Sequence, residues 1–170
     1  MKLLRQLNKH AERYALLFFY SVLVASMALE VLRREILSFS SVWGEEVVRY
    51  SFIYLVWIGA AAAVKERAHI RIDVLYKFVT PRVRTLLYIF ADLIMVAMAI
   101  MALIWAIEPV TRSIDRGSVL EALQISRAWA LTAVPLGFTL VIIRLFQSIY
   151  NDLVSLVNGT PVFEGNKLFD

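Results

Sequence analysis

The sequence predicts an all-α integral membrane protein with four transmembrane helices. Three observations carry that prediction. Hydrophobic residues fill 60% of the 170 positions, well above the roughly 45–50% usual in soluble domains. They gather into four blocks, each near the ~20 residues needed to cross hydrocarbon. The connections are short, so residues 1–170 form one membrane domain with no room for a soluble one. Cysteine is absent, which excludes disulfides, a thiolate nucleophile and Cys-ligated metal. The net charge of +4 points only weakly to nucleic acid, because in a membrane protein the positions of basic residues matter more than their sum.

The elements follow in order. Met1 to Arg13 is a short amphipathic lead with Lys2, Arg5, Lys9 and Arg13, and its leucines suit a bilayer surface. The first span is expected at 14–32, interrupted only by Glu30. A basic lead before an apolar run also describes a signal peptide, and Ser26-Met27-Ala28 is a passable cleavage site. The block is longer than a usual signal core, so an uncleaved span is expected. Arg33 to Val42 is a connection whose Ile36, Leu37 and Phe39 suit the interface. The second span, 47–64, opens after the acidic pair Glu45 and Glu46 and closes in the small residues Gly59 to Ala63. A basic stretch from Lys65 to Arg84 follows. Within it Ile70, Val74, Leu75 and Phe78 share one helical face, which predicts a short interfacial helix stopped by Pro81. The third span is expected at 83–107. Ser118-Val-Leu-Glu121 reads as a capping box opening a short helix through Ile125. The fourth span, 129–150, precedes a polar tail, 151–170, with a chain reversal at Gly159-Thr160-Pro161.

Basic residues set the direction. Twelve of the 18 Lys and Arg fall in the N-terminal lead, the Lys65–Arg84 stretch and the region from Arg144 onward. Six fall on the opposite side. That asymmetry predicts both termini in the cytoplasm, with Glu45, Glu46 and the Glu108–Arg127 loop outside.

Several residues invite chemistry, and each has a plainer reading. Asp92 lies inside the third span, with Arg144 at comparable depth in the fourth. A carboxylate in hydrocarbon costs several kcal/mol unless paired or wet. It marks either a proton or ion relay, or a structural pair with Arg144 or with a partner's polar group. A lone acid is a poor relay, which favours the pair. Glu30 has Arg33 and Arg34 at i+3 and i+4 for local pairing. Glu45, Glu46 and Arg49, with Arg112 and Arg116 of the outer loop, form either an interfacial charge ladder or a docking patch. Gly59, Ala60, Ala62, Ala63 and Gly137 remove side-chain bulk, so a helix of this chain or of a partner can approach closely. His10 and His69 both lie in connections, which argues against haem ligation at depth. His69 and Asp73 are two potential ligands and too few for a metal site. Met95, Met98 and Met101 form a stripe suited to adaptable packing. Trp43, Trp57, Trp105 and Trp129 suggest an aromatic belt. No phosphate-binding glycine loop or nucleophile elbow is present.

Glu46-x-x-Arg49-Tyr50, Gly59-Ala60-Ala61, His69-Ile70-Arg71-Ile72-Asp73, and Pro135-Leu136-Gly137-Phe138 with Arg144 carry a resemblance. From about Trp43 to Arg144 the chain resembles the small membrane (Q) subunit of tripartite ATP-independent periplasmic transporters. The stretch from Gly-Ala-Ala to His-x-x-x-Asp is its most specific part. The resemblance implies a bacterial inner-membrane protein, not an enzyme and without cofactor, that binds a large membrane (M) subunit of elevator type. Sodium and substrate are expected on that partner. A periplasmic substrate-binding (P) protein delivers an organic acid, of the C4-dicarboxylate or sialic acid class. His69, Arg71 and Asp73 fall in the cytoplasmic interfacial segment of such a subunit. The competing expectations are a self-sufficient small oligomeric transporter or channel using Asp92, and a redox anchor, which the histidine positions disfavour.

Overall fold

The computed structural model describes residues 2–39, 41–67 and 79–160, with side chains from residue 11 onward. Four α-helices account for almost all of them: α1 (Lys2–Leu37), α2 (Val42–Lys65), α3 (Pro81–Asp115) and α4 (Ala128–Asn158). Each contains a segment long and apolar enough to cross a membrane. The predicted interfacial helix before Pro81, with His69, Arg71 and Asp73, lies outside the described residues.

Each helix ends where its sequence lets it. Neither Gly nor Pro occurs between residues 2 and 37, so the basic lead runs into the first span as one helix rather than as a separate surface element. α1 stops at Ser38, whose φ of 50° is left-handed. The Phe39 N–H then turns back to the Arg33 carbonyl at 3.4 Å, which satisfies one of the open carbonyls of the last turn. Pro81 opens α3 from its first turn, with Thr80 as N-cap, where a missing N–H removes no helical bond. α4 ends at Gly159, with φ of 65°.

The helices outrun the expected spans. α1, α3 and α4 have 36, 35 and 31 residues, or roughly 54, 52 and 46 Å at ~1.5 Å per residue, against ~30 Å of hydrocarbon. Their ends therefore project beyond the hydrocarbon, or the helices tilt within it. Pro109 and Pro135 sit inside α3 and α4 without ending them. Neighbouring turns carry the helix past the one bond each ring removes.

Short connections make successive helices antiparallel. Close contacts join α1 to α2, α2 to α4, and α4 to α3, while the other pairs barely meet. The chain is thus a row in the order α1, α2, α4, α3, with α4 as its hub. The core lies along that hub: Ala61 and Val64 of α2, Val96 and Ala99 of α3, and Val141 and Leu145 of α4. Met95 packs against this cluster, whereas Met98 and Met101 are exposed. Most of the remaining apolar surface faces outward, above all along α1.

Candidate functional site

Two polar clusters, one toward each end of the helices, and a small-residue seam between them hold the chemistry of the molecule. The first cluster lies where the start of α1 meets the end of α4. Glu12 of α1 receives a hydrogen bond from Arg144 Nε of α4 and another from Lys65 Nζ of α2, the latter at 3.0 Å. Arg144 also donates from Nη1 to Gln147 Oε1 at 2.6 Å. One helical turn along α4, Ser148 donates its hydroxyl to Asp92 Oδ2 at 2.7 Å and accepts from Arg67 Nη2 at 3.1 Å. The same Arg67 nitrogen donates to Asp152. Tyr88 lies with its ring centroid 5.2 Å from the Arg67 guanidinium carbon. Glu12, Arg67, Asp92, Arg144 and Asp152 are all buried. Arg67 adopts a left-handed φ of 51° just past α2, and that turn carries its side chain back toward α4.

Asp92 meets α4 at Ser148, one turn from Arg144. Their described partners differ from the expected pair. Arg144 takes the carboxylate of Glu12, and Asp92 takes a hydroxyl. The physical reason is reach. Arg144 extends across α2 to α1, while Ser148 stands next to α3. Arg67, Ser148 and Asp152 carry no mark in the sequence that separates them from ordinary polar residues, and Glu12 carries only a weak one. Glu12 belongs to a lead that suits the bilayer surface. The others fall in a connection, at the end of a span and in a polar tail. A carboxylate followed along the same helix by an apolar run is the one signal that points to Glu12.

The second cluster ties the opposite end. Glu30 accepts two hydrogen bonds from Ser41, from its backbone N–H at 2.7 Å and from its hydroxyl at 2.6 Å. Arg33 donates to that hydroxyl at 3.3 Å and lies over the Phe39 and Trp43 rings. Glu30 therefore clamps the start of α2, and Arg33 reaches it through Ser41 instead of by the simple i,i+3 pair expected. Gly44 allows this approach: a Cβ there would lie 2.5 Å from Glu30 Oε2.

Glu46 is buried, and its carboxylate accepts from the backbone N–H groups of Ala122 and Leu123 at 3.2 and 3.0 Å. The side chain expected in a docking patch is thus turned inward to hold the loop between α3 and α4. That loop is not the short helix expected from Ser118 to Ile125. It is a tight reversal, with Leu120 N–H to the Ile125 carbonyl at 2.8 Å, Arg127 N–H to the Ser118 carbonyl at 2.9 Å, and Gln124 at a φ of 54°. A carboxylate does cap the exposed amides, but it comes from α2 rather than from the loop. Glu45, Arg49, Arg112 and Arg116 remain exposed at this end. Arg112 pairs with Glu108 on its own helix.

Between the clusters, α2 and α4 meet at Gly137, where a Cβ would lie 2.6 Å from Trp57 Cβ. Ala61 and Ala133 are fully buried in the same region. Tyr54 donates its hydroxyl to the Trp129 carbonyl at 2.6 Å, a second tie between these helices. Gly59 is different: a Cβ there would have Leu16 Cδ2 as its nearest neighbour, at 3.8 Å. Gly59 and Ala62 instead line a groove between α1 and α2. Trp57 packs on Phe138 with ring centroids 4.6 Å apart. Trp43, Trp105 and Trp129 are exposed near one end of the row, as an aromatic belt requires.

Four membrane-length helices in a row, joined by buried polar ties, define a small multi-pass membrane protein. Residues 23–155 match the family model described as tripartite ATP-independent periplasmic transporters, DctQ component, and the chain belongs to that family of non-enzymatic permease subunits of the inner membrane. Among curated relatives, the sialic acid TRAP transporter small permease protein SiaQ of Vibrio cholerae is 25% identical over 162 residues, covering 94% of this chain and 90% of that one. The isethionate TRAP transporter permease protein DctMQ of Oleidesulfovibrio alaskensis is 24% identical over 110 residues, which is 65% of this chain and 17% of its own length. The sialic acid TRAP transporter permease protein SiaT of Haemophilus influenzae is 23% identical over 149 residues, 87% and 23% of the two chains. The chain thus spans less than a quarter of the length of the latter two relatives.

Proposed function

We propose that this chain is the non-catalytic scaffold of a sodium-coupled, binding-protein-dependent importer of organic acids. It braces a large membrane subunit whose carrier domain moves as an elevator. The observation that carries this reading is the row itself. Each helix is tied to the next by a buried polar contact or by close packing, and the ties bridge three helices at Glu12. An elevator needs a wall that stays still while its neighbour slides, and a cross-linked row provides one. Sialic acid in the names of two relatives and isethionate in a third support small organic acids as the cargo class.

The excess of basic residues at the Glu12 end supports an orientation with both termini in the cytoplasm. Lys65, Arg82 and Arg84 then fall on the cytoplasmic side, where an anionic surface contributes ~1 kcal/mol per basic group. Glu45, Arg49, Arg112 and Arg116 face the periplasm and offer a charged platform for a substrate-binding protein. Sodium belongs on the large subunit. A self-sufficient channel would depend on Asp92, yet that carboxylate is only 1% exposed and hydrogen-bonded within the α3–α4 seam. A group so enclosed exchanges protons or ions with water poorly.

Gentle purification of the tagged chain from its native membrane tests the reading. Mass spectrometry should identify a much larger apolar chain in stoichiometric amount. Purification as a homo-oligomer alone would contradict it.

A further inference from the structure

The turn between α1 and α2 is apolar where water is expected. Two contacts fix the height of α2 against its neighbours. Tyr54 donates to the Trp129 carbonyl at the start of α4, and Glu46, two turns further out, holds the backbone of Ala122 and Leu123. Trp129 is exposed, and the charged Glu121 and Arg127 stand exposed beside it, so the hydrocarbon ends near this level. From Tyr54 to Val42, α2 rises roughly 18 Å further. The headgroup layer adds only about 5–8 Å on a side. With the length of the tyrosine side chain subtracted, the start of α2 still stands clear of the lipid. Lipid therefore does not cover Ile36, Leu37, Phe39 and Val42, which are 57–73% exposed around this turn. Exposed charges ring them: Arg34 and Glu35 on α1, Glu45 and Arg49 on α2. An apolar patch rimmed by charge and raised out of the bilayer marks a protein contact. The patch is also held in shape. Glu30 binds Ser41 twice, Arg33 lies over the Phe39 and Trp43 rings, and Gly44 leaves the space that this clamp needs. An anchor fixed in advance loses little freedom on binding.

We infer that the α1–α2 turn is the apolar anchor on which the soluble substrate-binding protein seats. A membrane-embedded neighbour meets the sides of the helices, whereas this turn is their tip and meets what arrives from water. The family is described as tripartite and periplasmic, which supplies a soluble component on that side. Ile36, Leu37, Phe39 and Val42 enter a shallow apolar recess of that protein, and Arg34, Glu35, Glu45 and Arg49 face charges around it. Charge at such a rim sets encounter and orientation, and the desolvated centre sets how long the complex lasts. The inference rests on the reading of this end as periplasmic. To the charges that guide the binding protein it adds the contact that holds it.

Photocrosslinking in proteoliposomes that hold this chain and the large subunit tests the inference. The chain has no cysteine, so a benzophenone can be placed on Ile36→Cys or Val42→Cys. Met98→Cys, at an exposed position midway along α3, is the control. The first two should crosslink to added binding protein and the control should not. Crosslinks from both turn positions to the large subunit alone, or to lipid alone, overturn the inference. Ile36→Glu with Val42→Glu, at exposed positions where folding is not at stake, should raise the binding-protein concentration for half-maximal uptake about tenfold or more, with uptake at saturation preserved. Unchanged half-saturation overturns the inference and leaves the scaffold reading intact, since the large subunit still co-purifies with the variant. Loss of the large subunit from that variant overturns it as well, because the turn then belongs to the contact between the two membrane chains.

Discussion

Glu12 is the residue on which most of one end depends. It answers both Arg144 and Lys65 from a helix that otherwise touches little of the row beyond α2. Removing one member of a buried ion pair typically costs ~3–5 kcal/mol, because the partner charge is stranded. Glu12→Ala should therefore lower the thermal stability of the purified chain sharply. Arg144→Met alone should also cost stability, and the double variant Glu12→Ala with Arg144→Met should lose less than the two singles added together. Additive losses in that cycle would show that the pair does not act as a unit. Gly137 and Gly59 part company in the same way. A methyl at Gly137 meets Trp57 Cβ, and overpacking of this kind costs ~1–3 kcal/mol. A methyl at Gly59 meets nothing closer than 3.8 Å. Gly137→Ala should destabilise the chain and Gly59→Ala should leave its melting temperature unchanged.

The elements show where sequence reasoning reaches and where it stops. Four apolar blocks separated by short charged connections fix the number and order of the helices, because hydrocarbon demands a minimum length of each. Helix ends are less legible. The Met1–Arg13 lead carries no breaker, so α1 begins well before hydrophobicity does, and α4 continues past its apolar block to Asn158 for the same reason. Asp92 and Arg144 stand out because charge is rare at depth, but their partners do not. Ser148 and Glu12 are ordinary residues until the helices are side by side. The loop between α3 and α4 departs from its local pattern for a related reason. That pattern fits a helix cap, and a carboxylate 76 residues away from Ala122 supplies the cap instead. Glu46→Ala should leave the Ala122 and Leu123 amides without an acceptor, at a cost of ~1–3 kcal/mol. Hydrogen exchange across residues 118–127 should quicken, with α3 and α4 protected as before. Unchanged exchange would show that the loop holds itself. Charge reversal at the exposed Glu45 or Arg49 should leave this exchange alone and reduce uptake that depends on the binding protein.

At the scale of the whole molecule, the chain is a membrane wall with its polar groups turned inward and its apolar groups turned out. Lipid supplies no hydrophobic drive between helices, so close packing and buried hydrogen bonds must hold them together. The Glu12–Arg144–Lys65 tie, the Glu30–Ser41 clamp and the Gly137–Trp57 contact do this at three depths. In the proposed role, such a wall would steady a moving neighbour and need no pathway of its own. The most direct test is solute flux in proteoliposomes. Vesicles containing this chain alone, under an inward sodium gradient and with binding protein and organic acid outside, should accumulate nothing above empty vesicles. Vesicles that also hold the large subunit should accumulate the acid. Sodium-driven accumulation by the chain alone would contradict the account.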